Sequence, residues 1–192
     1  MRTLLLASTS SARRALLVGL GLSFVAEAPG VEEDVAPGTA VEAAVAQLAE
    51  RKARAVLARH PGALVIGSDQ LVSLDGRALG KPADATAARA QLQSLSGRTH
   101  DICTGVCVVS ADFFACEVDV ARLTVWPLGD PELDAYVATN EWEGCAGGYR
   151  VEARGQALFS AIDGDRSAIQ GLPMQRLVRL LRAAGANPLL GS

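Results

Sequence analysis

The sequence predicts an α/β fold, in which short buried strands, helices and one long antiparallel pair follow one another along the chain. Two apolar runs, at residues 3–7 and 63–66, are typical of short buried strands. Residues 39–59 carry apolar side chains at helical spacing. Residues 99–110 and 113–126 are long strand-like segments separated by a short turn, which predicts an antiparallel hairpin.

Composition limits the classes of protein that fit. The chain has 192 residues, of which 49% are hydrophobic, so we expect one soluble globular domain over residues 1–192. The net charge of −3 gives no basic field, which argues against a nucleic acid polymer as partner. No apolar run reaches the roughly 18 residues that a membrane span needs, so we expect no membrane partner.

The cysteines form no C-x-x-C pair and no metal set with the histidines. We therefore expect all of them, Cys103, Cys107, Cys116 and Cys145, to be small buried residues of a reducing compartment, the cytoplasm. Arg13-Arg14 and the apolar residues that follow also resemble a twin-arginine export signal. A strand, a loop and a helix explain the same residues better.

The first strand runs into a cluster of hydroxyl residues, Ser8 to Ser11, and then into a predicted helix. Such a cluster caps a helix, and free backbone N–H groups together with the helix dipole favour a bound anion there. Arg13 and Arg14 are unfavourable in a first helical turn, and a bound phosphate would offset that cost. The alternative is two solvated surface arginines.

Three adjacent carboxylates, Glu32, Glu33 and Asp34, precede the second helix. They indicate either a magnesium ligand or a solvated acidic turn. Thr39 and Glu42 have capping-box spacing and predict the start of a helix that ends near Arg59. Lys52 lies late in that helix, where alone it would be an ordinary surface lysine.

The strand at residues 63–66 is followed by Gly67, Ser68, Asp69 and Gln70. Ligands of α/β proteins sit beyond the carboxyl ends of strands, so Asp69 is a candidate for catalysis. The alternative is that Asp69 caps a turn. Asp75-Gly76 then predicts a type I′ hairpin. Lys81 follows it in a sequence that nearly spells a P-loop, but the spacing is one residue short.

The C-terminal half offers fewer candidates. Asp84 caps a predicted helix at residues 83–95, and Pro131 opens another that ends near residue 138. Residues 140–155 are glycine-rich and irregular, which suits a backbone that closes round a ligand. In the last helix, 174–183, arginines at three-residue spacing predict a solvated face. Cations and carboxylates at loop ends together indicate magnesium-dependent phosphate chemistry.

Five motifs occur in the order found in the Maf family of nucleoside triphosphate pyrophosphatases, which the chain resembles over nearly its whole length. They are Leu6-Ala7-Ser8-Thr9-Ser10 with Arg13-Arg14, Gly67-Ser68-Asp69-Gln70, Gly80-Lys81-Pro82, Ser96-Gly97 and Gly171-Leu172-Pro173. The resemblance implies an inosine-triphosphatase-like α/β fold, with a mixed, elongated sheet flanked by helices and a central nucleotide cleft. It also implies a cytoplasmic enzyme, for which a homodimer would fit the family.

The resemblance also implies roles for individual residues. Asp69 would be the general base, or a metal ligand that orients the attacking water. Glu33 would share the metal, Mg²⁺ or alternatively Mn²⁺, with Glu32 as the alternative ligand. The triphosphate would be held by Ser8, Arg13, Arg14, Lys52 and Lys81. Water would attack at the α–β linkage, and pyrophosphate would leave.

Within the family, Ser68-Asp69-Gln70, Cys145-Ala146-Gly147 and Glu152 resemble the YceF subgroup, which hydrolyses 7-methyl-GTP. N7-methylation makes guanine cationic, so a carboxylate at Glu152 would favour it, and the Gln70 amide would read the base edge. The chain departs from the subgroup at Ala12, where an aromatic residue would stack on the base. Trp142 and Tyr149 are the aromatic alternatives.

Two other functions remain open. One is a pyrophosphatase for dTTP and UTP, or for a broad set of modified nucleotides; that subgroup has threonine and glutamine where this chain has Gln70 and Glu152. The other is a non-catalytic regulator of cell division. Such a protein would not need Asp69, Glu33, Lys52 and Lys81 all present.

Overall fold

The computed structural model describes residues 2–190. Within this range the strands are β1 Leu4–Leu6, β2 Val25–Ala26, β3 Leu64–Leu74, β4 Arg77–Leu79, β5 Thr99–Val109, β6 Phe114–Val125 and β7 Phe159–Asp163. The α-helices are α1 Ser11–Val18, α2 Val41–Arg59, α3 Ala85–Leu95, α4 Asp130–Val137, α5 Arg166–Ile169 and α6 Met174–Ala183. Three short 3-10 helices cover Ala146–Gly148, Arg154–Leu158 and Pro188–Leu190.

The strands form one mixed sheet in the order β2-β1-β3-β5-β6-β7, with β4 paired to β3. Strand β1 runs parallel to both β2 and β3, whereas β3–β4 and β6–β7 are antiparallel pairs. Strands β5 and β6 are neighbours joined by a tight turn, in which Ser110 N–H donates to the Phe113 carbonyl (2.8 Å). The predicted mixed α/β sheet is confirmed, while its elongated shape and central cleft stay predictions.

The chain divides into two compact units that are each discontinuous in sequence. The first comprises the residues up to Gln70, Thr104–Asp119, and those from Asp165 onward. The second comprises Leu71–Cys103 and Val120–Gly164. Strands β3, β5 and β6 each begin in one unit and end in the other. The predicted single domain also includes residues 1, 191 and 192, which lie outside the described range.

The first unit buries both faces of its parallel strands. Leu4 and Leu6 of β1 pack in one apolar cluster with Leu17 of α1 and Leu177 of α6. Leu5 points the other way, into a cluster that includes Ala53 and Val56 of α2. Burial on both faces is typical of parallel strands, and each fully buried leucine contributes about 2 kcal/mol of hydrophobic free energy.

Several local predictions are confirmed. Ser10 caps α1, and its side chain accepts from Arg13 N–H. Asp75 and Gly76 both have positive φ, 51° and 76°, as a type I′ turn requires. Asp84 caps α3, with its carboxylate accepting from Ala87 N–H (2.8 Å). None of the helices between residues 2 and 190 combines the length and apolar character needed to cross a bilayer.

The predicted capping box at Thr39 is wrong. Helix α2 begins at Val41 with Ala40 as its N-cap, and no side chain caps it. The Thr39 hydroxyl instead donates to the carbonyl of Ala36 (2.7 Å), in the turn before the helix. A local turn competes here with the cap for the same hydroxyl.

The arginines of α6 do not form a purely solvated face. Arg176 Nε lies 2.7 Å from Asp119 Oδ2, and Arg179 lies 2.6 Å from Glu117 Oε2. Both carboxylates belong to β6, so α6 is tied to that strand by ion pairs. Arg182 is exposed, as predicted.

The expectation that no cysteine is paired is wrong for Cys107 and Cys116, which form a disulfide between β5 and β6. Their Cα atoms are 4.1 Å apart, because the two residues lie opposite each other on neighbouring strands. Each is three positions from the Ser110–Phe113 turn pair, so the turn fixes their register. The cysteines therefore no longer argue for a reducing compartment.

Candidate functional site

The loop between β1 and α1 carries Ser8, a buried serine. Its hydroxyl accepts from the backbone N–H of Ser10 (3.1 Å), and Ser10 in turn caps the helix. This chain of hydrogen bonds fixes the loop at the N-terminus of α1. Backbone N–H groups and the positive end of the helix dipole favour an anion at such a position.

Arg13 lies over this loop in a half-buried position. Its Nε donates to the carbonyl of Gly171 (2.8 Å), and its NH1 lies 3.5 Å from the Ser8 hydroxyl. Burial lowers the pKa of Arg13 below its usual value, and the negative charges of Asp69 and Glu33 oppose that shift. Arg13 therefore remains a cation, held by a backbone carbonyl and close to two carboxylates.

Helix α2 brings Lys52 to the same place. The helix packs directly on β3 at Gly67, where a Cβ atom would collide with the Ala49 carbonyl and with Ala53. Only glycine allows this approach. Lys52 lies on the packed face of α2, in line with Leu48 and Val56, and is 5% exposed.

Lys52 is therefore a buried lysine, and not the ordinary surface lysine that its sequence context predicts. Its Nζ lies 2.5 Å from Asp69 Oδ1 and 2.5 Å from Glu33 Oε1. Asp69 is 6% exposed, whereas the Glu33 side chain is more than half exposed. A buried charge requires such partners, because removing it from water costs several kcal/mol.

The position of Asp69 differs from the prediction in one respect. Strand β3 does not end before Asp69 but continues to Leu74. The strand that ends is β1, whose parallel pairing with β3 stops at Leu6 and Ile66. Asp69 thus lies beyond the carboxyl end of β1, near the Ser8 loop, and the alternative of a turn-capping aspartate is wrong.

The amide nitrogen of Gln70 is used within the protein. It lies 2.8 Å from the Ala168 carbonyl, 2.9 Å from the Ile169 carbonyl and 3.1 Å from the Thr104 hydroxyl. These partners orient the side chain toward the end of α5. Reading of a base edge by this nitrogen would therefore require it to leave partners in the protein.

The remaining candidates of the first unit lie at its surface or partly so. Arg14 is exposed on α1, and Ala12 is half-buried. Glu32 and Asp34 are exposed, and Arg51 NH1 binds their backbone carbonyls (2.9 Å each) and Asp34 Oδ1 (3.0 Å). Arg51 thus fixes the acidic loop on either side of Glu33, the residue that contacts Lys52.

Two candidates belong to the second unit. Lys81 is exposed after β4, and its neighbour Gly80 accepts from the Gln91 amide (3.0 Å). Glu152 is exposed, and its carboxylate is 4.0 Å from Arg150 Nε. The two aromatic alternatives of this unit, Trp142 and Tyr149, are both buried.

The structure places two further residues at the site, Ser68 and Gly171, to which the sequence alone assigned no role. Ser68 is fully buried, and its hydroxyl lies 2.8 Å from both the Gly105 and Gly171 carbonyls. Gly171 accepts from Arg13. The burial of Lys52 had a signal, since Leu48, Lys52 and Val56 share one helical stripe. No comparable pattern indicated Ser68.

The site can be tested for its fit to a divalent metal. No group of three or more His, Cys, Asp or Glu side chains within residues 2–190 is arranged to hold a metal. Asp69 Oδ1 and Glu33 Oε1 nevertheless converge on one cation, the Lys52 ammonium. Mg²⁺ commonly takes one or two carboxylates and completes its shell with water and phosphate oxygens, so this pair fits it chemically.

Comparison with known proteins identifies the family. The curated 7-methyl-GTP pyrophosphatase of Xanthomonas campestris pv. campestris (strain 8004) is 45% identical over 187 residues, 96% of this chain and 97% of that protein. The curated dTTP/UTP pyrophosphatase of Symbiobacterium thermophilum is 42% identical, over 96% of this chain and 95% of that protein. The solved structure of the Staphylococcus aureus Ham1 protein is 15% identical, with a TM-score of 0.47 over 66% of this chain and 73% of that one. The Maf-like protein family matches residues 3–184, and the chain belongs to this family.

Proposed function

We propose that the protein is a nucleoside triphosphate pyrophosphatase that converts 7-methyl-GTP to 7-methyl-GMP and pyrophosphate. The observation that carries the proposal is the convergence of Lys52, Asp69 and Glu33 close to Arg13 at the N-terminus of α1. Relatives of nearly the same length and above 40% identity are named as pyrophosphatases of this kind.

The cationic part of the site suits a triphosphate. The first turn of α1 offers backbone N–H groups, and Ser8 and Arg13 lie beside it. Arg13 is already oriented through Nε, so its terminal nitrogens can face phosphate oxygens. Arg14 is exposed one position further on, where it adds positive charge. By analogy with the family, Lys81 would also bind the triphosphate.

Asp69 would serve the hydrolytic step as general base. Lys52 binds its Oδ1, so we assign the attacking water to Oδ2. The water oxygen bonds to the α-phosphorus, Asp69 takes the water proton, and the α–β bridging bond breaks with its electron pair on pyrophosphate. Burial, together with a cation at Oδ1, holds the carboxylate in one orientation, which favours proton transfer at this position.

Glu33 and Asp69 would hold the divalent metal, most simply Mg²⁺, through the oxygens that now contact Lys52. When bound, the ion neutralises charge on the phosphate oxygens and on the leaving pyrophosphate. Lys52 competes with the ion for the same two oxygens. Its side chain is long enough to turn toward a phosphate when the ion is present.

Preference for 7-methylguanine rests on Glu152. Its carboxylate is exposed, so it is accessible to a ligand, and a cationic base would be attracted to it. Arg150 at 4.0 Å offsets part of that charge. Both side chains are exposed, so solvent weakens the attraction between them. The Glu152 carboxylate can therefore still attract a cationic base.

A second candidate is a dTTP/UTP pyrophosphatase. The relative from Symbiobacterium thermophilum carries that name at 42% identity, close to the 45% of the relative named for 7-methyl-GTP. Overall identity therefore does not separate the two substrates. Ala12, which offers no ring for stacking on a cationic base, also favours a broader choice of nucleotide.

A substrate panel tests the proposal. Pyrophosphate release is measured with Mg²⁺ for 7-methyl-GTP, GTP, dTTP, UTP and CTP at equal concentrations. The proposal predicts the highest kcat/KM for 7-methyl-GTP. Higher values for dTTP and UTP would support the second candidate. No release from any nucleotide would contradict both, and a non-catalytic regulator would then be the function to pursue.

The place of action is part of the proposal. A pyrophosphatase that removes a modified nucleotide acts where nucleoside triphosphates are made, which is the cytoplasm. A homodimer is the assembly that we propose by analogy with the family. Size-exclusion chromatography with light scattering would test it directly, because a monomer mass would contradict it.

A further inference from the structure

The short helix α5 ends in a tight structure centred on Gly171. Gly171 N–H donates to the Ala168 carbonyl (2.9 Å), and Leu172 N–H donates to the Ser167 carbonyl (3.0 Å). These two bonds define a Schellman motif, in which the residue at the position of Gly171 takes a left-handed conformation. Gly171 has φ = 101°, which favours glycine over any residue with a Cβ.

The end of α5 is anchored to the strands of the first unit. The Gln70 amide donates to the carbonyls of Ala168 and Ile169 (2.8 and 2.9 Å). Thr104, fully buried on β5, donates its hydroxyl to the same Ala168 carbonyl (2.9 Å). The Ala168 carbonyl thus accepts from these side chains in addition to Gly171 N–H, and the bonds fix the segment that presents Gly171.

The carbonyl oxygen of Gly171 lies within hydrogen-bonding distance of two side chains, and the single hydroxyl proton of Ser68 is shared between this carbonyl and that of Gly105, which is equally close. Arg13 Nε donates to it at 2.8 Å, and the Ser68 hydroxyl lies 2.8 Å from it. Ser68 is two residues before Gln70 and directly before Asp69 on β3. The carbonyl is therefore tied to the strand that carries Asp69, and Arg13 is tied to the carbonyl.

Gly171 also leaves space for the arginine, because it has no side chain. A Cβ atom at this position would lie 3.1 Å from Arg13 Nε and 3.7 Å from its Cγ. Contacts near 3.1 Å would push the guanidinium away from its present position. Residue 171 thus controls Arg13 in two ways, by its carbonyl and by the absence of a side chain.

We propose that Gly171 is a positioning residue for Arg13, and that Ser68 supports it through the shared carbonyl. The proposal rests on the proposed function, because it assigns Arg13 to the polyphosphate of the substrate. Gln70 acts in it as an anchor of α5.

Binding of inorganic tripolyphosphate, measured by titration calorimetry, tests this proposal without requiring turnover. Ser68→Ala and Gly171→Ala are each measured in the natural chain and in an Arg13→Lys background. Lysine keeps the positive charge but has no Nε that a carbonyl could orient. We expect each variant to weaken binding about five- to tenfold in the natural chain, and less than about twofold in the Arg13→Lys background.

Gly185→Ala is the matched control for backbone strain. Gly185 has φ = 83°, and a Cβ atom at this position would have no neighbouring atom within 4 Å, so alanine strains the turn without touching a neighbour. We expect it to lower the melting temperature and to leave tripolyphosphate binding unchanged. If Gly171→Ala fails to fold, Ser68→Ala alone decides, since loss of one hydroxyl preserves the packing.

Equal losses of affinity in both backgrounds would overturn the proposal, because Ser68 and Gly171 would then act independently of Arg13. Unchanged binding in Ser68→Ala and Gly171→Ala would overturn it as well. Failure of the proposed function looks different. If the protein hydrolyses no nucleotide but the effects of Ser68→Ala and Gly171→Ala depend on Arg13, the positioning role stands and the proposed function fails. If the enzyme is active but these effects do not depend on Arg13, the proposed function stands and the positioning role fails.

Discussion

Lys52 supplies the positive charge that neutralises the acidic residues of the site. It contacts both Asp69 and Glu33, and it is almost fully buried. Its partners are acidic residues from a loop and from the middle of a strand. The same two carboxylates are the proposed metal ligands, so a bound metal would compete with the ammonium for them.

Lys52→Met should destabilise the protein by about 3 kcal/mol, because two carboxylates would face each other without the ammonium between them. Added Mg²⁺ should recover part of this loss, and should raise the melting temperature of the variant more than that of the natural chain. Thermal unfolding with and without Mg²⁺ measures both effects.

Lys81→Met is the control, since Lys81 is exposed and its loss should change stability little. An equal effect of Mg²⁺ on Lys52→Met and on the natural chain would contradict the assignment of the metal to Asp69 and Glu33.

Glu152→Gln should reduce the preference for 7-methyl-GTP over UTP by about two- to fivefold. The expected effect is small, because the carboxylate is exposed and Arg150 lies 4.0 Å away. The ratio of kcat/KM values for the two substrates is the measurement. Glu143→Gln, an exposed neighbour in the same segment, should leave the ratio unchanged. An unaltered ratio in Glu152→Gln would show that Glu152 does not determine the preference for 7-methyl-GTP.

At the scale of elements, β5 presents a buried histidine to the segment that follows Gly148. His100 Nε2 lies 2.6 Å from the Tyr149 hydroxyl, and the Phe159 ring completes the cluster. Burial lowers the pKa of His100 to about 4 and raises that of Tyr149 above its usual range. Both side chains are therefore neutral in the folded protein at neutral pH.

This burial gives a pH dependence of stability. An unfolded histidine takes up a proton near pH 6.5, whereas folded His100 does so only near pH 4. The contribution of neutral His100 to the free energy of unfolding is therefore fully present above pH 6.5. It is lost as pH falls toward 4, and the loss is about 3 kcal/mol. Urea unfolding at pH 4.5, 5.5 and 7.5 should show this slope in the natural chain and a smaller one in His100→Gln.

His60→Gln is the matched control, because His60 is exposed and lies outside this cluster. It should keep the pH slope of the natural chain. If His100→Gln and the natural chain had the same slope, another group would be responsible for the acid sensitivity.

At the scale of the whole molecule, local chemistry determined what could be predicted. The Ser10 cap, the Asp75-Gly76 turn and the Asp84 cap depend on a few adjacent residues, and all three were predictable. The long β3 was not, because Gly67 to Gln70 look like a loop. They belong instead to a strand that neighbours β5, and α2 packs on that strand at Gly67.

The same distinction applies to the site. Ser8, Arg13 and Asp69 could be proposed from motifs, since each follows a strand or opens a helix. The contacts of Lys52 with both carboxylates depend on the packing of α2, which no local pattern specifies. The role of Gly171 depends on a contact across 158 residues, so the sequence alone offered only its motif.

The disulfide was predictable in principle from register. Once Ser110 and Phe113 close the turn, Cys107 and Cys116 lie opposite each other. Protein purified without reductant should show two reactive thiols after denaturation. Reduction should lower the free energy of unfolding by about 2 to 3 kcal/mol, as expected for a short loop. Cys116→Ser should abolish the effect of reductant, and four thiols in the unreduced protein would contradict the bond.

The proposed role of Asp69 as general base can be tested by comparing three proteins. Release of pyrophosphate from 7-methyl-GTP is measured for the natural chain, for Asp69→Asn and for Asp112→Asn, an exposed aspartate paired with Arg2. Asp69→Asn should lower kcat by about 10²- to 10⁴-fold while far-ultraviolet circular dichroism and tripolyphosphate binding persist, and Asp112→Asn should remain active. Near-normal turnover by a folded Asp69→Asn protein would exclude Asp69 as the general base.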